Sequence, residues 1–448
     1  MKIYYYTLGC KVNHYETEAL KEKLELSGHT CTKSIKDADA AVVNSCTVTG
    51  QANLKCRQIL HKIRKQNECC ILILTGCFPQ AFEKEVRAFD FCDIICGSAN
   101  KMNIPQMLND YLSDSNRKQI ICIEKHSKGE KIENMSITGY ESKTRANVKI
   151  QDGCDQYCTY CIIPYARGHV RSKSLEEIKE EITSLSKKGH REIILVGINL
   201  CCYGKDLGDG KSIRLIDAIE AACSVEGIDR VRLGSIEPEM ICDDDIERMS
   251  RLDKLCPQFH LSLQSGCDKT LREMNRKYTT FEYKTLCNKL RKSFPDCAIT
   301  TDIMVGFPGE SDEDFSESLS FVEKIKFAKV HIFPYSKRDG TVAAKRSDQI
   351  DGIVKEKRAK SMEAVCSKLS YEFMNTQVGK IYPVLFEKEK SPEYYEGHTP
   401  NFTFVKIPKK NLKTNQNSLR KKILYVKIEK VEKNYCIGSF ADDLSQTQ

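Results

Sequence analysis

Three times in its first eighty residues this chain runs an apolar, β-branched stretch directly into a cysteine: IYYYTLGC at Cys10, AAVVNSC at Cys46 and ILILTGC at Cys77. Helical stretches around residues 16–26 and 52–65 separate the runs. Short strands alternating with amphipathic helices specify a parallel sheet, because parallel neighbours need a long crossover rather than a tight turn. In an open parallel sheet the strand ends lie on one edge, where ligands bind. Cys10, Cys46 and Cys77 are therefore expected to converge, although more than 30 residues separate each from the next. Three equivalent placements point to a shared site, a three-cysteine cluster with one iron left free.

The rhythm resumes at Ala146. NVKIQ, EIILVGI, RVRLGSI, FHLSLQ, ITTDIMVGF and KVHIFPYS read as strands with good helices between them. Ser174 with Glu177, and Ser311 with Asp314, are spaced as capping boxes that open two of those helices. Six strand–helix units fall short of the eight of a closed barrel, so an incomplete β/α barrel is expected. A charged helix over about residues 353–374 leads out of it. The final segment changes to alternating strands, KIYPVLFEKE, NFTFVKIP, KKILYVKIEKV and NYCIGSF, the pattern of a small antiparallel β-barrel. The fold class is thus α/β with an open amino-terminal sheet, a central partial barrel and a carboxy-terminal barrel. The boundaries read from these shifts are 1–124, a polar linker or exposed hairpin over 125–145, 146–370 and 371–441.

Cysteine is unusually common, with 23 in 448 residues. No apolar run approaches the ~20 residues of a membrane span, and the start meets a lysine at once, so a cytoplasmic protein is expected. In a reducing compartment such cysteines point to metal ligation or catalysis, although most, such as Cys31, Cys122, Cys223 and Cys287, follow no pattern. Cys154, Cys158 and Cys161 do, as C-x3-C-x2-C in the loop after the first barrel strand. That is the strand end at which β/α folds place their chemistry. Three thiolates on a four-iron cluster leave one iron open for reaction, whereas a structural zinc wants a fourth ligand. His169, eight residues further on, fits a compact zinc site poorly.

The segment QDGCDQYCTYCIIPYARG, with Tyr160 as the aromatic before the third cysteine, resembles the signature of radical S-adenosylmethionine (SAM) enzymes. LGCKVNHYE, NSCTVT and TGC resemble the amino-terminal domain of the methylthiotransferases within that class. The likeness continues through SIEP, LSLQSG, ITTDIMVGFPGE and FPYSKRDGT, and the last barrel resembles the RNA-holding TRAM module. The resemblance implies two [4Fe-4S] clusters, a SAM-binding one on Cys154, Cys158 and Cys161 and an auxiliary one on Cys10, Cys46 and Cys77. It also implies a SAM cradle to which Tyr160, Glu237, Gln264 and Glu310 contribute. One SAM would methylate a sulfur at the auxiliary cluster; a second would supply the radical that activates carbon 2 of an adenine, chemistry that a cofactor must carry.

LGCKVN with a following Tyr-Glu is most similar to the tRNA enzymes acting on N6-threonylcarbamoyladenosine. The sisters acting on isopentenyladenosine have a Gln-Met-Asn phrase there, and those acting on a ribosomal-protein aspartate a Lys-Asn phrase. The implied partners are a tRNA anticodon stem-loop and an electron donor of flavodoxin or ferredoxin type, with the chain a monomer. The basic stretch Lys406, Lys409, Lys410, Lys413, Arg420, Lys421 and Lys422 contains no acidic residue and suits a phosphate backbone. Arg167 and Arg171, just after the cluster loop, are candidates either for holding the anticodon stem or for structural ion pairs. Cys201 and Cys202 depart from the family pattern and are given no role. A non-catalytic iron–sulfur RNA-binding sensor is the competing class; it would need fourth ligands, and none stands out.

Overall fold

The structure, a computed structural model, describes residues 1–139, 143–208, 212–389, 391–409 and 418–441. The amino-terminal sheet holds β1 (Lys2–Thr7), β2 (Thr30–Thr32), β3 (Ala40–Ser45), β4 (Ile71–Gly76), β5 (Ile94–Cys96) and β6 (Ile120–Cys122). They lie in the order β2-β1-β3-β4-β5-β6, parallel throughout. Every residue of β3 and β4 is buried, which explains their continuous apolar runs. The expected helices occur at Lys11–Leu26 and Gly50–Gln66.

The central region contains β7 (Arg145–Lys149), a short antiparallel pair β8 (Gln151–Asp152) and β9 (Arg171–Ser172), then β10 (Glu192–Val196), β11 (Arg230–Leu233), β12 (Ser235–Ile236), β13 (Gln258–Leu261), β14 (Ala298–Val305) and β15 (Lys329–Pro334). Two parallel sheets, β11-β10-β7 and β12-β13-β14-β15, form the incomplete barrel. The run RVRLGSI is a single strand by its pattern, but the structure divides it at Gly234. Both capping boxes form: Ser174 accepts from the Glu177 backbone, and Ser311 from that of Asp314. The charged helix spans Gly352–Asn375.

Alternation decides what faces the barrel lumen. On β7, Ala146 and Val148 pack into the main core under the helices; Ile193 and Leu195 of β10, and Ile299, Ile303 and Val305 of β14, do the same. Their neighbours Arg145, Asn147, Lys149, Glu192, Thr300 and Asp302 therefore point inward, giving a polar lumen.

The carboxy-terminal strands β16 (Ile381–Phe386), β17 (Tyr394–His398), β18 (Phe404–Pro408), β19 (Ile423–Glu432) and β20 (Tyr435–Phe440) close a barrel in the order β16-β17-β18-β20-β19. The sequence pattern missed β17, a short polar strand. The β18–β20 seam is parallel and the others antiparallel. This barrel sits under the amino-terminal strand ends of the large one. Arg232 donates to the Pro400 carbonyl (2.9 Å), and the Phe402 ring lies 4.6 Å from its guanidinium and 5.1 Å from that of Arg145. Glu192 binds Arg145 and Arg232 (2.8 Å each), and Arg145 also reaches Glu387 (2.8 Å).

The segment expected as an exposed linker is a packed strap. Met135 and Ile137 are buried in the main core, and the Met135 carbonyl accepts from Tyr15 and Lys173 (2.8 Å each). Two apolar residues among many polar ones suffice to anchor it, and such sparse anchors leave no period to read. No helix among the described residues is long and apolar enough to cross a membrane.

Candidate metal centres

Cys10, Cys46 and Cys77 each stand at the carboxyl end of their strand, and local geometry explains how. Gly9 and Gly76 take φ of +111° and +104°, a conformation open to glycine, as the chain turns from strand into helix. A Cβ on Gly9 would lie 2.8 Å from the Cβ of Cys46, so glycine also permits the close approach of two of the cysteine-bearing segments. Cys10 caps the helix Lys11–Leu26, and Cys77 opens the helix Cys77–Ala81. A thiolate at a helix start is favoured by the exposed N–H groups there. Cys46 and Cys77 are buried, while Cys10 is open to solvent.

What surrounds Cys77 comes from the other domain. Arg167, at the end of the short helix Ile163–Arg167 that follows Cys161, is 0% exposed and donates through Nε to the Cys77 sulfur (3.2 Å). Its other nitrogens reach Asn13 (2.7 Å), Glu16 and Asp152 (3.4 Å). Glu16 is also paired with Lys101 and, at 2.8 Å, with Lys149, and Lys149 meets Asp152 at 2.5 Å. The buried cations Arg167, Lys101, Lys149 and Arg171, the last 3.6 Å from Asp152 and 3.2 Å from Glu130, thus outnumber the carboxylates Glu16, Asp152 and Glu130 by one. Buried charge is costly unless compensated, and one thiolate on Cys77 restores the balance. Arg338, from the segment after β15, closes the opposite side. It donates to Thr47 (2.8 Å), and its guanidinium stacks on Phe82 at 4.8 Å.

Cys154, Cys158 and Cys161 lie half-buried in the loop between β8 and β9. The Cys154 N–H donates to the Gly168 carbonyl (3.0 Å), and the Cys161 N–H to that of Cys158 (2.9 Å). Arg276 donates to the Cys158 sulfur (3.3 Å) and pairs with Glu237, and the Asn199 amide lies 3.7 Å from the Cys154 sulfur. Each triad therefore has a buried guanidinium on one of its sulfurs. Burial first, then neighbouring thiols, push Cys46 and Cys161 up to about 12, and burial pushes Cys154 to about 12. Ligand binding must replace those protons.

Sulfur spacing tests what could be bound. The ligands of a tetrahedral zinc with Zn–S of about 2.3 Å stand about 3.8 Å apart. Among the described residues, the three-residue set with all its ligand atoms within 4.8 Å is Cys242, Asp244 and Asp245, not either triad. In each triad at least one pair of sulfurs therefore lies more than 4.8 Å apart, too wide for all three to hold one ion as placed, and each triad has a guanidinium ready to offset thiolate charge. His169 is tied to Asp155 (2.7 Å) on the surface.

The other expected residues divide. Glu237 follows β12, where burial raises its carboxyl and Arg276 opposes the shift. Gln264 takes φ of +69° at the end of β13, its backbone clamped between Asp302 and Met304 (2.9 and 2.8 Å). The Tyr160 ring meets that of Phe307 edge-on at 6.5 Å. The Glu310 carboxylate is taken by Arg358 and the Gly306 N–H (2.7 Å each). Arg167 and Arg171 are corrected: both are buried, in the network above and against His126 and Glu130 (2.8 and 3.2 Å), so neither offers itself to RNA. Lys406 pairs with Glu396 (3.3 Å) over the Tyr435 ring, Lys409 pairs with Glu389 (2.5 Å), and Lys422 is exposed. Arg420 and Lys421 are half-buried, and Lys410 and Lys413 lie outside the described residues. Sequence reasoning missed Arg276, Asn199 and Asn13 as partners of the sulfurs. Cys201, left without a role, receives the Glu237 N–H at 3.2 Å.

Comparison with known proteins identifies the family. Residues 148–322 match the radical SAM superfamily, and residues 2–97 match the uncharacterized protein family UPF0004. The threonylcarbamoyladenosine tRNA methylthiotransferase MtaB of Bacillus subtilis (strain 168) is 35% identical over 440 residues, 97% of this chain and 95% of the relative. The chain belongs to the radical SAM methylthiotransferase family. It is accordingly an enzyme of that class, and the family implies a [4Fe-4S] cluster and SAM. The MtaB of Thermotoga maritima is 39% identical over 85% of both chains. The tRNA-2-methylthio-N(6)-dimethylallyladenosine synthase of Acetivibrio thermocellus is 35% identical over 85% of this chain and 79% of that one. Among solved structures, the radical SAM methyltransferase TsrM of Kitasatospora setae shares the fold, with a TM-score of 0.58 at 12% identity over 77% of each chain.

Proposed function

We propose that this methylthiotransferase acts on tRNA, adding a methylthio group to carbon 2 of N6-threonylcarbamoyladenosine beside the anticodon. In this reading Cys154, Cys158 and Cys161 hold the cluster that engages SAM, and Cys10, Cys46 and Cys77 hold a second, auxiliary cluster. The observation that carries it is the bond from Arg167, in the loop of the first triad, to Cys77 of the second. It ties the loop of the first triad to the second, which supports a reaction that passes a group between them. Loaded clusters would supply one-electron reduction of SAM and a sulfur to be methylated and transferred.

The chain's own residues orient and shield. Arg167 and Arg276 offset thiolate charge and favour the more reduced cluster states. Glu237, held by Arg276, Gln264, and Tyr160 against Phe307 form the wall where SAM would lie, with Glu310 a further contributor. The module over 371–441 holds RNA through its basic face, and the units 1–124 and 146–370 carry the auxiliary and SAM-binding sites across the 125–145 strap. A flavodoxin- or ferredoxin-type donor supplies electrons to a cytoplasmic monomer.

Support for this nucleoside comes from the LGCKVN phrase and from the extent of the match to the Bacillus relative. Isopentenyladenosine is the second reading, favoured by relatives of similar identity whose names specify the dimethylallyl substrate. Nucleoside mass spectrometry of tRNA from cells lacking this protein separates the two. Loss of the 2-methylthio form of threonylcarbamoyladenosine is expected; unchanged levels of it, or loss of the isopentenyl form instead, overturn the assignment.

A further inference from the structure

The lumen between the two domains gathers Lys11, Lys329, Arg145, Arg232 and His331 around the carboxylates Glu192 and Asp302. Val12 packs on Ile194 and Val196, inward-facing residues of β10, so the start of the first helix is lodged in the barrel mouth. Lys11, beside Val12, is solvent-accessible there and lies within electrostatic reach of Arg145, Arg232 and His331. Among the described residues its side chain makes no hydrogen bond or ion pair. Opposite it stands β15, whose Val330 and Ile332 pack into the core and whose Lys329, His331 and Phe333 face the lumen. They sit in register beside Thr300, Asp302 and Met304.

Of the carboxylates nearby, Glu192 acts on Lys11, and Asp302, in register beside His331, acts on that imidazole. Asp302 lies 3.3 Å from His260, whose other ring nitrogen contacts Thr300 at 3.0 Å, and the His260 ring is 5.8 Å from that of His331. Glu192 is held by Arg145 and Arg232. Lys11 and Lys329, neither in an ion pair among the described residues, present two ammonium groups and His331 an imidazole, with the Phe333 ring 46% exposed above them on the same strand face. Cationic groups below a bare aromatic face suit a flat base bearing an anionic substituent.

We propose that this recess reads the carboxylate of the base's threonyl substituent, with Lys11 as the principal contact and Lys329 and His331 completing the seat. The proposal rests on the substrate reading above and deepens it, since an isopentenyl group has no charge to place there. It makes Lys11 a specificity-determining residue.

The test uses the full chain with its clusters reconstituted, and fluorescence anisotropy of anticodon stem-loops carrying N6-threonylcarbamoyladenosine, its methyl ester or isopentenyladenosine. The wild type is expected to prefer acid over ester by about tenfold or more, the scale of one charge-assisted contact. Lys11→Gln and, separately, Lys329→Gln should cut that preference to about threefold or less while leaving ester affinity unchanged. Lys329 is remote in sequence from every cysteine ligand, so it decides the matter if Lys11→Gln disturbs Cys10. Undiminished acid preference in both variants overturns the proposal, as does equal loss of acid and ester in both. SAM also has a carboxylate: loss of SAM binding by equilibrium dialysis, with acid preference retained, would assign the recess to SAM and overturn it too. If the wild type fails to prefer threonylcarbamoyl over isopentenyl RNA, the substrate reading falls. If that preference holds but acid and ester bind alike, the recess alone falls.

Discussion

Replacing Arg167 with glutamine tests whether one side chain both joins the domains and serves the auxiliary site. The change removes the donor to Cys77 and the fork onto Glu16, Asn13 and Asp152. Truncating one partner of a buried charge network costs about 3–5 kcal/mol. Here the low end applies, because Glu16 keeps Lys101 and Lys149, Asp152 keeps Lys149 and Arg171, and Arg171 keeps Glu130, so the remaining charges balance. At ~2 °C per kcal/mol for a large domain, the cluster-free protein should lose about 6 °C in melting temperature. The loaded protein should lose more. A thiolate on Cys77 would then lie without its guanidinium beside a neutral network, forfeiting a charge-assisted bond of about 1.5–3 kcal/mol. Calorimetry on cluster-free and anaerobically reconstituted protein, with iron and sulfide counted in each, reads both quantities. Arg167→Lys keeps the charge but not the fork, so it should recover most of the cluster-free loss and little of the extra loss on loading. Equal melting shifts in the two forms, or a lysine variant indistinguishable from wild type in both, would refute the reasoning.

Two further outcomes are expected. Cys158→Ala should abolish 5′-deoxyadenosine formation from SAM while iron remains bound at Cys10, Cys46 and Cys77; retained cleavage would refute the division between the sites. Acid should open the seam to the carboxy-terminal barrel: burial alone would raise the Glu192 carboxyl, but Arg232 and Arg145 overcome it and hold it at about 2. A depressed carboxyl contributes stability above its unfolded value of about 4.5, lost as pH falls toward 2. The melting temperature should therefore be flat from pH 7 to 5 and fall below, and Glu192→Gln should flatten that fall; an unchanged slope would exclude Glu192 as its source.

The parts of the fold legible in the sequence are those set by local chemistry. Apolar runs ending in Gly-Cys marked the strand ends, and Ser174 with Glu177 marked a helix start, because strand period and capping act over a few residues. The site's supports are not local. Glu16, Lys101, Lys149 and Arg167 come from four separate elements, and the ordinary expectation for each is a solvated surface charge. That expectation sent Arg167 and Arg171 toward RNA, although the same burial that withdraws them from RNA brings Arg167 to Cys77. Arg276 lay in an NRKY stretch with no motif, and only the fold carries it to Cys158. The sequence-drawn boundary near residue 124 runs through one hydrophobic core, in which Ile3, Ile73 and Met107 pack in the same cluster as Met135, Val148 and Leu195.

That shared core bears on how the substrate enters. A hinge between the sheet and the barrel would have to part Arg167 from Cys77, Asn13 and Glu16, and Lys149 from Glu16, all buried, leaving uncompensated charge on both faces. It would also have to free Met135 and Ile137, which the strap threads between the two domains. The separation of the two sulfur sets is fixed by shorter means still. From Cys161, the helix Ile163–Arg167 advances about 8 Å, and one arginine side chain covers the remaining distance to Cys77. Opening the domains would destroy the alignment on which transfer between the sites depends. Under the proposed function the base enters where the barrel is incomplete, past β15, on which Lys329, His331 and Phe333 are exposed. In that reading closure around the substrate falls to the RNA and the carboxy-terminal module, while the sheet and barrel hold still.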